Sequence, residues 1–190
     1  MDLEKDELPL LKAMDNFLFI PDFRADHGFL FSTFLEETEW DERMKARKTA
    51  SYGVAYNYSQ ISYDNQPFTT LLTEIAKDVE RELGFSPNNC LLNYYPDGES
   101  SMGFHSDTAM GRTFGTGVAI LSLGARREML FKHKTDKKRS GFRLLTPGSL
   151  IYLDDYTQQD WLHAIPKSDV AGPRISLSFR SIEILSLIHI

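Results

Sequence analysis

Apolar positions along the chain recur in two rhythms. In the first half they follow a helical period. Phe29, Leu30, Phe34 and Leu35 fall at near-helical spacing within 24–38, which predicts a helix. A second helix is predicted where Phe68, Leu71, Leu72, Ile75, Val79 and Leu83 line one side. Pro67 would open it and Gly84 would stop it. Ahead of both, NFLFIPDF is a short apolar run ended by Pro21 and predicts a strand. Residues 49–66, between the helices, are polar and rich in tyrosine.

From Asn89 the rhythm changes. The runs CLLNYY, GVAILSL, EMLFKHK, FRLL, SLIYL and RISLSFRSIEI are separated by PDGESS, GARR, TDKKRSG, TPG and DDYTQQD. Short strands between polar turns predict an antiparallel β-sandwich or barrel. The expected architecture is mainly β with flanking helices, an α+β arrangement.

A length of 190 residues fits one domain, and 42% hydrophobic residues with 13 Phe, 8 Tyr and 2 Trp supply a substantial core. This excludes a disordered or fibrous chain. No apolar run reaches the roughly 18 residues of a membrane span, and no membrane partner is expected. The start, MDLEKDELPLLK, has no apolar core of a signal peptide. Cys90 is the single cysteine, so no internal disulfide can form. Together these lead us to expect a cytoplasmic protein with Cys90 as a buried small hydrophobe. The net charge is −6, yet residues 124–143 hold eight Lys or Arg against Glu128 and Asp136. That stretch is either a phosphate-engaging patch on an acidic body or a solvated hairpin turn.

Candidate chemistry starts at His105, with Asp107 two residues later in GFHSDT. On a strand, positions two apart share a face, so an imidazole and a carboxylate would converge. His163, in DWLHAIP, is the candidate third ligand. Two imidazoles and a carboxylate on one side of an iron leave three adjacent positions open. A hydrogen-bonded His–Asp pair is the competing reading. In Arg174-Ile-Ser-Leu-Ser-Phe-Arg180, Ile175, Leu177 and Phe179 share one face, and Arg174, Ser176, Ser178 and Arg180 the other. Inside a barrel, two guanidiniums on that face would demand anionic partners, and a dicarboxylate suits them. On a surface strand they would simply be solvated. Asn93 and Tyr95 also share a face and could meet the remaining carboxylate oxygens.

As an ordered set, N-x-Y at Asn93 and Tyr95, H-x-D at 105–107, SLGA, K-H-K, PGSL, His163 and R-x-S-L-x-F-R at 174–180 resemble the AlkB family of Fe(II)/2-oxoglutarate dioxygenases. The likeness covers roughly residues 49–183. It implies a double-stranded β-helix, or jelly roll, with a core at about 89–184 and N-terminal helices and a substrate lid at about 14–86. The whole of 1–190 would then be one AlkB-like domain. It implies Fe(II) held by His105, Asp107 and His163, with 2-oxoglutarate and O2 as co-substrates. Arg174 resembles the arginine that grips the distal carboxylate, helped by Tyr95 and Ser176. Arg180 and Asn93 resemble the pair near the metal-bound carboxylate. The implied activity is oxidative dealkylation or hydroxylation of alkylated nucleic-acid bases, with single-stranded or damaged nucleic acid as partner. In that setting Tyr58, with Tyr56 beside it, falls where a lid aromatic stacks the flipped base. The chain departs from the family pattern at Ser176, where Asn is usual. It departs again at Thr108 and Ala109, where repair members carry an acidic base reader. Those departures keep open an alternative: an AlkB-like hydroxylase of a protein side chain or small metabolite.

Overall fold

The structure, a computed structural model, describes residues 17–55, 63–107, 111–169 and 172–183. Ten strands and three helices lie along them. The strands are β1 (Phe17–Ile20), β2 (Lys48–Gly53), β3 (Asn89–Tyr95), β4 (Met102–His105), β5 (Val118–Gly124), β6 (Arg127–His133), β7 (Ser140–Leu145), β8 (Leu150–Leu153), β9 (Trp161–Ile165) and β10 (Arg174–Arg180). The helices are α1 (His27–Glu37), α2 (Thr70–Leu83) and α3 (Asp155–Asp160).

The strands form two antiparallel sheets. The larger runs β1-β8-β5-β10-β3-β2 and the smaller β4-β9-β6-β7. The arrangement is the double-stranded β-helix. One apolar layer lies between α1, α2 and the larger sheet, where Leu30, Phe34, Leu72, Ile75 and Val79 pack with Leu92, Leu121, Ile175, Leu177 and Phe179. The second lies between the sheets and contains Tyr95, Val118, Ile120, Met129, Phe131, Ile151, Trp161 and Ile165. Strand β10 serves both. Its odd-numbered apolar residues face the helices, so strand alternation turns Arg174, Ser176, Ser178 and Arg180 toward the space between the sheets. The open choice between barrel interior and surface strand is thereby settled: all seven residues of β10 are buried.

Helix α2 starts at Thr70, later than Pro67 suggested. Thr69 is the N-cap, and its Oγ1 accepts the Leu72 N–H at 3.2 Å. Phe68 therefore precedes the helix and meets Phe179 edge-on, with ring centroids 6.4 Å apart. Gly84 ends α2 as expected, at φ +74°, where a left-handed backbone suits glycine. No helix among the described residues is long and apolar enough to cross a membrane.

Candidate functional site

The two sheets enclose a pocket whose lining includes His105, Asp107, His163, Tyr95, Arg174 and Arg180. At one end, His105 and His163 are paired across β4 and β9. Their ring centroids are 4.3 Å apart. Asp107 lies just past β4, so its convergence with His105 is not the strand alternation its spacing suggested. The chain has left the strand, and other contacts aim the carboxylate. One ligand atom from each of His105, Asp107 and His163 lies within 4.8 Å of the others. His163 Nε2 is 3.8 Å from Asp107 Oδ2.

The protonation states at this end suit a metal. His105 Nδ1 is 2.9 Å from the Gly103 carbonyl. A carbonyl only accepts, so Nδ1 is the donor in this contact and Nε2 is the ring nitrogen left to serve as a ligand. Burial, together with the nearby His105 and Arg180 charges, pulls the His163 imidazole down to about 4 against the pull of Asp107. It is neutral at neutral pH. Asp107 is fully buried, which alone would raise its carboxyl. Arg180, the nearest cation, outweighs that and holds it well below the usual carboxylate range. Arg180 Nη2 donates to Asp107 Oδ1 at 2.8 Å. Two imidazoles and one carboxylate form a donor set that fits Fe(II).

Arg174 occupies the other end, deeply buried beside Tyr95. Its Nη2 donates to Ser122 Oγ at 2.9 Å, and its Cζ lies 5.2 Å from the Tyr95 ring centroid. Arg127 also packs on that ring, at 5.6 Å. Arg127 is committed, because its Nη atoms donate to the carbonyls of Asp97, Ser100 and Pro166. Arg174 is not: its Nε and Nη1 are buried without a hydrogen-bond partner among the described residues. Burial pulls its guanidinium down to about 10, which leaves it charged. A buried, charged and half-satisfied guanidinium fits an incoming carboxylate.

Asn93 and Ser176 are register partners on β3 and β10, and Ser122 on β5 continues the row. Asn93 Oδ1 accepts from Arg47 Nε at 2.8 Å. The structure gives the two β10 arginines different situations: Arg180 meets Asp107 inside the protein, whereas Arg174 keeps two nitrogens without a hydrogen-bond partner among the described residues. Tyr56, Tyr58, Thr108 and Ala109 lie outside the described residues. Arg47, Arg127 and Gln158 carry no mark in the sequence pattern that singles them out as site residues. Ser122 had a signal, as the one polar residue within VAILSL. Arg127 falls in the basic stretch, yet it is buried and binds backbone carbonyls.

A family model described as the 2OG-Fe(II) oxygenase superfamily matches residues 27–180. The chain belongs to this superfamily, and within it is AlkB-like. Membership brings Fe(II), 2-oxoglutarate and O2 as the cofactor set, which the His-Asp-His cluster suits. Over 147 residues it is 33% identical to the DNA oxidative demethylase ALKBH2 of Homo sapiens, covering 72% of this chain and 56% of that protein. Over 174 residues it is 28% identical to the alpha-ketoglutarate-dependent dioxygenase alkB homolog 3 of Mus musculus, covering 81% and 61%. The chain thus spans little more than half the length of these curated relatives. The solved structure of OsALKBH1 matches with a TM-score of 0.65 at 15% identity, covering 87% of this chain and 97% of that one, a likeness of fold.

Proposed function

We propose that this chain is an Fe(II)/2-oxoglutarate-dependent dioxygenase of AlkB type that oxidatively dealkylates or hydroxylates alkylated nucleic-acid bases. The observation that carries this reading is the pairing within one pocket of the His105–Asp107–His163 cluster with the half-satisfied Arg174. His105, Asp107 and His163 would hold Fe(II). Arg174, with Tyr95 and Ser176 beside it, would hold the distal carboxylate of 2-oxoglutarate, and Asn93 and Arg180 flank the metal end. When bound, iron and 2-oxoglutarate supply the oxidising power: O2 is consumed, 2-oxoglutarate yields succinate and CO2, and a substrate C–H becomes C–OH. On an N-methyl group the product loses formaldehyde.

The protein's own contribution is placement. The neutral His163 imidazole offers its lone pair without first shedding a proton. Asp107 stays ionised because Arg180 neutralises one of its oxygens. Ile120, Met129 and Ile165 give the pocket an apolar wall. A nucleic-acid substrate is supported by kinship with ALKBH2, a DNA oxidative demethylase, and by the exposed Lys137 and Lys138 on the β6–β7 connection. Tyr58, with Tyr56, would stack the base, on the strength of their place in the sequence ahead of α2. We also read the chain as one catalytic domain over 1–190, working in the reducing cytoplasm, where the buried Cys90 stays a thiol. Incubation with Fe(II), 2-oxoglutarate and single-stranded oligonucleotides carrying N-methylated bases tests the reading. Formaldehyde release above that seen with unmethylated oligonucleotide is expected. Succinate formation with no formaldehyde from any methylated oligonucleotide would overturn the substrate class and favour a protein or metabolite substrate.

A further inference from the structure

Asp107 poses a local problem. The last β4–β9 pair is His105 with His163. Asp107 is buried beyond that pair, where no strand partner receives its N–H. A buried N–H left unpaired is costly. Its carboxylate also needs a fixed direction if one oxygen is to face the histidines. A single side chain meets both needs. Gln158 Oε1 accepts the Asp107 N–H at 2.9 Å, and Gln158 Nε2 donates to Asp107 Oδ2 at 3.3 Å. Few side chains but a primary amide offer an acceptor and a donor side by side on one rigid plane.

We propose that Gln158 is a positioning residue that aims the Asp107 carboxylate at the metal position and thereby sets the metal affinity of the site. The inference rests on the iron-site reading given above. Arg180 takes Oδ1 and Gln158 takes Oδ2, the oxygen 3.8 Å from His163 Nε2. The two contacts fix the plane of the carboxylate. They differ in charge, and that difference matters. Arg180 neutralises its oxygen, whereas the neutral amide orients the other and leaves its charge for a cation.

Gln158 is itself well mounted. It is buried on α3, where Asp154 Oδ1 caps the Thr157 N–H at 2.7 Å. Lys134 clamps the same turn from β6–β7: its Nζ donates to the Gln158 carbonyl at 2.7 Å, and its N–H to the Asp160 carbonyl at 2.8 Å. The DDYTQQD segment is thus more than a connection. It carries the orienting group immediately before β9, which carries His163.

The test uses the full chain, freed of metal, with Co(II) as the probe. Gln158→Met keeps length but loses donor and acceptor. Gln158→Asn keeps the amide and withdraws it by one methylene, and it serves where the Met variant does not fold. Co(II) affinity is read by calorimetry, the site's geometry by Co(II) visible absorption, and folding by the melting temperature of the metal-free protein. Removing such an orienting group is expected to weaken Co(II) binding by about 10–100-fold and to change the absorption spectrum. A folded variant that binds Co(II) with wild-type affinity and spectrum would overturn the proposal while leaving the metal site intact. Failure of the wild type to bind Co(II) would overturn the metal reading, and this inference with it.

Discussion

Replacing Arg174 with Met should move two quantities in opposite directions. In the substrate-free protein Arg174 is a buried charge that donates to Ser122 Oγ and keeps two nitrogens without a partner among the described residues. Arg127 packs on the same Tyr95 ring and adds like charge. Removing such a charge in favour of an apolar chain of similar volume is commonly neutral or stabilising. The metal-free Arg174→Met variant should therefore melt no lower than wild type. With 2-oxoglutarate the sign reverses. Two charge-assisted hydrogen bonds to a carboxylate are worth about 1.5–3 kcal/mol each, together about 3–6 kcal/mol. At about 1.4 kcal/mol per factor of ten, 2-oxoglutarate should bind roughly 10²–10⁴-fold more weakly. Metal affinity should hold, because Arg174 and the His-Asp-His cluster sit at opposite ends of the pocket. Anaerobic calorimetric titration of 2-oxoglutarate into the Fe(II)-loaded protein reads the first effect, and thermal melts of the metal-free protein read the second. A drop of less than about tenfold in 2-oxoglutarate affinity would refute the assignment. So would a fall in melting temperature that accounts for the weaker binding, since Arg174 would then be a structural residue.

Acid should destabilise the metal-free protein through His163. Its folded pKa of about 4 lies below the ordinary value of 6.5, so between these values the unfolded chain takes up a proton that the folded chain refuses. Stability is therefore full above about pH 6.5 and is lost as pH falls through the window, by on the order of 3 kcal/mol. Melting curves across pH 4–7 should show this slope, and His163→Asn should flatten it. Asp107, also held low, contributes with the same sign at more acidic pH. Charge reversal at Lys137 and Lys138 should weaken single-stranded oligonucleotide binding whatever the sequence. It should also lower the logarithmic salt slope by about 1 for each phosphate no longer neutralised. Fluorescence anisotropy across a salt series measures it, and an unchanged slope would remove this surface from the nucleic-acid path.

Much of the site was legible because strand alternation writes itself into sequence. Arg174, Ser176 and Arg180 interleave with Ile175, Leu177 and Phe179, and β10 is buried on both sides as that pattern allows. Strands β4 and β9 were harder. Met102–His105 is four residues long, with an irregular register against β9. Trp161–Ile165 follows a polar segment that reads as a turn yet folds as α3. Strand β2 was hidden in a polar, tyrosine-rich stretch because its buried residues include Thr49 and Ser51, which hydrogen-bond inside the fold. Gln158 had no signature at all. Its part depends on where the chain leaves β4, a tertiary fact that spacing does not carry. Arg47 is similar, since its contact with Asn93 joins residues 46 positions apart.

If His105, Asp107 and His163 hold the iron that drives 2-oxoglutarate oxidation, succinate formation reports it most directly. The measurement takes the purified full chain with 2-oxoglutarate and O2, with and without Fe(II), beside Asp107→Ala. Succinate is expected only when Fe(II) and O2 are both present, and none from Asp107→Ala, whose metal-free form should still fold. Succinate formed at the wild-type rate by folded Asp107→Ala, or by the wild type without iron, would contradict the iron assignment.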